Sequence, residues 1–76
     1  MPKLPVLSGH EIIKALGKVG FVPIGQKGSH IILIKQVAEG KKGVVVPNHK
    51  EVDVGTLLEI IRQAGLKREE FEKLLS

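Results

Sequence analysis

The chain has no cysteine, no tryptophan and no tyrosine, and its only aromatics are Phe21 and Phe71. Without cysteine, neither disulfides nor a thiolate zinc site can staple a small fold, so the core must be built mainly from aliphatic side chains. That composition fits a reducing cytoplasm. No apolar run approaches the ~18 residues that would span a bilayer, and Met1-Pro2-Lys3-Leu4-Pro5 lacks the apolar core of a signal peptide. A soluble, cytoplasmic protein without a membrane partner is expected. At 76 residues the chain has room for one domain, 1–76, which buries only about 60% of its unfolded surface, and none for a separate cofactor domain. Three widely spaced histidines, with no carboxylate at ligand spacing, argue against a metal site, and no cofactor is expected.

Charge is present and unevenly distributed. Residues 1–50 hold eight Lys and two Glu, whereas residues 51–76 hold two Lys, two Arg and six acids, giving net charges of +6 and −2. The basic excess lies with the strands. A positive field over a sheet favours polyanions such as RNA, although a solvated lysine-rich surface accounts for the same balance.

Ser8-Gly9-His10-Glu11 has the spacing of a capping box, with Leu7 and Ile12 as a hydrophobic staple across it. Ile12, Ile13, Leu16 and Val19 then recur at helical spacing, and Gly20 is expected to end the helix. Gly17 costs about 1 kcal/mol against alanine there, which implies either close packing of the helix or a frayed last turn. A short strand over 21–24 follows, with Pro23 favouring a sheet edge. A turn from Gly25 to Gly28 leads to a second strand over 30–35, in which His30, Ile32 and Ile34 share one face and Ile31, Leu33 and Lys35 the other. Residues 37–42 read as a turn with lysines at its tip, and 43–46 as a third strand stopped by Pro47. Asp53 caps a second helix with Val52 and Leu57 as its staple; Leu57, Ile60, Ile61 and Ala64 form its apolar stripe. Gly65 and Leu66 suit the end of a Schellman motif. A last helix over 68–75 would close the core with Phe71, Leu74 and Leu75. The fold class is therefore α+β: a three-stranded antiparallel sheet with helices on one face, in the α-β-β-β-α order of double-stranded-RNA-binding domains, plus a short C-terminal helix.

Within this frame, Gly25-Gln26-Lys27-Gly28-Ser29-His30 delivers a histidine from a glycine-flanked turn onto the first position of a strand. Val44-Val45-Val46-Pro47-Asn48-His49 and Gly55-Thr56-Leu57, followed by Arg62-Gln63-Ala64-Gly65-Leu66, accompany it. In that order and at those spacings the chain resembles the HicA family of small toxin ribonucleases, from about Ser8 to about Leu75. The resemblance implies cleavage of messenger RNA without a metal, through His30, and silencing by a HicB-like antitoxin. One departure stands out: many members follow the strand with an aromatic and then an arginine–histidine pair, where this chain has Leu33, Ile34, Lys35 and Gln36.

RNA carries its own nucleophile, the ribose 2′-hydroxyl. Cleavage needs a base for that proton, a donor for the 5′-oxygen and positive charge at the phosphate. An unperturbed histidine titrates near ~6.5, and acid–base help of this kind is worth roughly 100- to 10,000-fold. His30 is the candidate acid or base, Lys27 its neighbouring phosphate contact, and Gly28, Ser29, Lys41 and Lys42 candidate RNA contacts. Ser29 equally suits a turn hydroxyl satisfying nearby backbone. A Ser29–His30 dyad is not expected, because successive strand residues point apart. His10, in the first helical turn, is given no role. His49 would pair with His30 as acid and base if the two converged, but turns at opposite sheet ends would separate them. Two other readings compete: a noncatalytic RNA-binding module of the same fold, and a partner-binding subunit that has lost activity.

Overall fold

The computed structural model describes residues 4–75; Met1, Pro2 and Lys3 of the N-terminal stretch read above, and Ser76, lie outside the described residues. The elements are helix α1 (Gly9–Gly17), strands β1 (Val22–Lys27), β2 (His30–Val37) and β3 (Gly40–Pro47), and helices α2 (Val54–Gln63) and α3 (Arg68–Lys73). The strands form one antiparallel sheet in the order β1-β2-β3. This is the expected α+β layout.

Both long helices begin where their caps dictate. The Ser8 hydroxyl accepts from the Glu11 amide at 3.2 Å, and the Ser8 amide donates to the Glu11 carboxylate at 2.9 Å. At α2 the Asp53 carboxylate accepts from the Thr56 amide at 3.1 Å and from its hydroxyl at 2.7 Å. The staple residues Leu7, Ile12, Val52 and Leu57 are all buried. Moreover, Val52 donates its amide to the Leu7 carbonyl at 2.8 Å in an isolated antiparallel bridge, so the starts of α1 and α2 lie side by side. α2 ends in the expected Schellman motif, with Leu66 donating to the Ile61 carbonyl at 3.2 Å and Gly65 to that of Arg62 at 3.0 Å.

The helices cover one face of the sheet. Ile31 and Leu33 of β2, opposite Val46 and Val44 of β3, pack with Ile12, Leu16, Leu57, Ile60 and Ile61. Phe71 of α3 is fully buried in the same core, a contribution of roughly 1.5–3 kcal/mol, so this helix closes the core as expected. It stops at Lys73 rather than Leu75, and Leu74 and Leu75 pack half-buried against the core.

The strands are longer and the turns tighter than composition suggests. Gly25 belongs to β1 and pairs with Ile32; a register shift between Pro23 and Gly25 leaves Ile24 unopposed. Such a bulge lets an edge strand carry a proline. The reversal is confined to Gly28-Ser29, where Gly28 has φ +60, as the first central position of a type II′ hairpin requires. Lys41 and Lys42 lie within β3, paired with Gln36 and Lys35, and not at a turn tip. The turn there is Ala38-Glu39, because exposed lysines do not stop backbone pairing on an edge strand. α1 ends at Gly17, before Gly20, and Lys18, Val19 and Gly20 donate back to the carbonyls three residues earlier. Nothing stands within 4 Å of where a Gly17 side chain would begin, which supports the frayed-end reading over close packing.

Candidate active site

His30 opens β2 directly after the hairpin turn, with Lys27 of β1 opposite it on one side and Pro47 of β3 on the other. Residues directly opposed across antiparallel strands project to the same face. Lys27 and His30, both exposed, therefore rise together from the face that the helices leave open.

Hydrogen bonds from three segments hold this end of the sheet. The Gln26 side-chain amide donates to the Gly28 carbonyl at 3.0 Å, closing the turn. The Asn48 amide donates to the Ser29 carbonyl at 2.6 Å, and the Gly9 amide at the start of α1 donates to the His49 carbonyl at 2.9 Å. A side chain at Gly9 would strike the Pro47 carbonyl, so only glycine lets α1 approach this closely. Ser29 serves the assembly through its carbonyl.

His30 and His49 are not at opposite ends of the sheet. Antiparallel pairing sets the first residue of β2 against the last of β3, His30 against Pro47, and puts the intervening turn at the far end. Both exposed histidines line one groove of about 590 Å³ together with Asp53, Thr56, Glu59 and Gln63. The two carboxylates have local partners. The Thr56 hydroxyl, then its amide, holds the Asp53 carboxyl below the usual carboxylate range. Hydrogen bonding from Arg62 does the same for Glu59, and the pairing pushes the Arg62 guanidinium up.

Thr56 and Gln63 belong to the motifs that carry the family resemblance, but the sequence gives neither of them, nor Glu59, a place in the site. Their i, i+3, i+7 spacing puts them on one polar face of α2, the one signal that could have found them; which strand end that face meets is a tertiary matter.

The remaining candidates separate. Lys41 shares the His30 face, because it pairs with Gln36 at the even positions of β2, but it stands roughly 20 Å away at ~3.3 Å per residue. Lys42 projects to the helix-covered face, where its ammonium lies against Gly65. A cation there complements the C-terminal end of α2. Between His30 and Lys41 the open face is apolar: Ile32 and Ile34 are half-buried, Val45 opposite Ile32 is 44% exposed, and Val22 opposite Ile34 is 58% exposed. Among the described residues no three His, Cys, Asp or Glu side chains gather as metal ligands would, and no helix is long and apolar enough to cross a membrane.

The small sheet is thus bare on one side and presents a hairpin histidine there. The family model described as the HicA toxin of bacterial toxin–antitoxin matches residues 9–66, from the first residue of α1 through the Schellman close of α2. The chain belongs to the HicA toxin family, and its partner is accordingly an antitoxin. No curated protein matches the chain.

Proposed function

We propose that the protein, acting as a single domain, is a metal-independent endoribonuclease that cleaves messenger RNA with His30 as a general acid or base, and that a HicB-like antitoxin silences it. The observation that carries this reading is the pairing of Lys27 with His30 on the uncovered face of the sheet, on either side of a two-residue turn. A phosphate held at Lys27 would lie beside the imidazole. The backbone of Gly28 and Ser29 forms the surface between them, and nothing stands within 4 Å of where a Gly28 side chain would begin. Lys41 would meet the same strand of RNA farther along the face, whereas Lys42 belongs to the end of α2 and makes no contact in this scheme.

The test is incubation of purified protein with single-stranded RNA in EDTA, beside a His30→Ala variant of unchanged circular dichroism. The variant is expected to lose roughly 100- to 10,000-fold in cleavage rate and to lose growth inhibition. Because His30 is exposed and outside the core, its melting temperature should match that of the wild type. Cutting by the variant at near the wild-type rate rules His30 out as the catalytic group. RNA binding by the wild type without cutting would mark a noncatalytic module.

A further inference from the structure

We propose that His49 is the second catalytic group of the site, so that His30 and His49 work as an acid–base pair across the groove they share. This inference rests on the ribonuclease reading and goes beyond it, since that reading needs only His30.

The two histidines come from segments with different local structure, one opening β2 and the other following β3, yet both line the same groove. Neither is placed there by a floppy loop. The Ser29 carbonyl, immediately before His30, accepts from the amide of Asn48, immediately before His49, and the His49 carbonyl accepts from Gly9 at the start of α1. The backbones carrying the two imidazoles are thus joined by one hydrogen bond between their preceding residues, and the second of them is anchored again from α1. Both side chains are exposed and able to exchange protons with solvent between turnovers. The charged groups around the pair are Lys27 from β1, Asp53 and Glu59 from the α2 wall, and Lys50 and Glu51 in the chain just after His49. With Asp53 hydrogen-bonded to Thr56 and Glu59 to Arg62, the two imidazoles are the acid–base side chains of the groove outside such carboxylate pairings.

The chemistry balances without a co-reactant. One histidine, neutral, takes the proton of the 2′-hydroxyl as the 2′-oxygen bonds to phosphorus. The other, protonated, gives its proton to the 5′-oxygen as the P–O5′ bond breaks. The products are a 2′,3′-cyclic phosphate and a free 5′-hydroxyl, and solvent restores both protonation states.

The experiment compares wild type, His49→Ala, His49→Gln, His30→Ala and His10→Ala on an oligoribonucleotide with one ordinary linkage, and on its analogue with sulfur as the 5′ bridging atom. A thiolate leaves without a proton donor, so that analogue bypasses the general acid. For the wild type a bell-shaped pH profile of kcat/KM is expected. Both His49 variants should fall roughly 100- to 10,000-fold and lose one limb of the bell, and His10→Ala, outside the groove, should match the wild type. One of the two site histidines, and only one, should be rescued by the sulfur linkage when substituted, which a merely structural role would not produce. His49→Gln keeps the backbone bond to Gly9 and a polar side chain of similar reach, so its loss cannot be laid to misfolding if circular dichroism is unchanged. Wild-type cleavage with an inactive His30→Ala, but His49 variants that keep full rate and both limbs, overturns the pair and leaves the ribonuclease reading standing. Rescue of neither or of both variants also overturns the pair. No RNA cleavage by the wild type overturns both proposals.

Discussion

The amide of Asn48 reaches the carbonyl of Ser29 at 2.6 Å, and through that bond the end of β3 is pinned to the turn that presents His30. The pin is set from behind by α1, whose first residue leaves no room for a side chain against the Pro47 carbonyl.

Gly9→Ala should therefore lower both stability and RNA cleavage. Overpacking of this kind costs about 1–3 kcal/mol, and the obstructing atom is a backbone oxygen that cannot rotate aside. The gain in helix propensity, up to about 1 kcal/mol, opposes but should not reverse it. Thermal melts should show a drop of several degrees, at roughly 4–8 °C per kcal/mol for a domain of this size. An alanine variant as stable and active as wild type would show that the approach of α1 is not tight.

RNA affinity should depend on salt at least as for the two phosphate contacts placed at Lys27 and Lys41, with log affinity falling against log salt at a slope of about −1.4 or steeper for a single strand. Placement of the lysines sharpens this. Lys27→Ala should reduce the slope by about 0.7, whereas Lys42→Ala, on the helix-covered face beside Gly65, should leave it unchanged. Anisotropy titrations at several salt concentrations read both, and a flat dependence in the wild type counts against polyanion binding.

The antitoxin should be acidic and should cover His30, Ile32 and the Lys27 turn. The open face offers apolar area at Ile32, Ile34, Val45 and Val22 next to a basic hairpin, so one docking event would bury hydrophobic surface and block the groove mouth together. Ile32→Asp or Ile34→Asp should weaken the complex more than it slows RNA cutting. Amide exchange is the direct measurement; no added protection across residues 27–34 in the complex means inhibition does not work by occlusion.

Asp53 makes stability sensitive to acid. Its carboxyl is held below the ordinary value of 3.8 by Thr56, so its contribution is fully present above that value and is lost as pH falls through the lower folded-state one. Asn caps a helix about as well as Asp but does not titrate. Asp53→Asn should hence melt near the wild-type temperature at neutral pH and lose less stability between about pH 5 and about pH 2. An unchanged acid limb would assign acid sensitivity to other carboxylates.

The helix starts were legible because they are written locally: Ser8 with Glu11, and Asp53 ahead of the Leu57 stripe, find their partners within one turn. Strand ends were not. Gly25 and Lys41-Lys42 have the composition of turns, yet hydrogen bonding to β2 draws them into the ladder, and that depends on register rather than on the residues themselves. That His30 opens a strand was legible from its place after a glycine turn. Its nearness to His49 was hidden, because it follows from which ends of β2 and β3 adjoin, and the polar face of α2 across the groove was hidden for the same reason.

The bridge between Leu7 and Val52 gives the site a place in time as well as in space. Until Val52 is in place, α1 has no neighbour for its N-terminal staple, and the groove that His30 and His49 line has no second wall. Only when Val52 and α2 follow can the two helix starts close on each other. The two walls of the groove therefore form together, in a late folding step that joins residues distant in sequence.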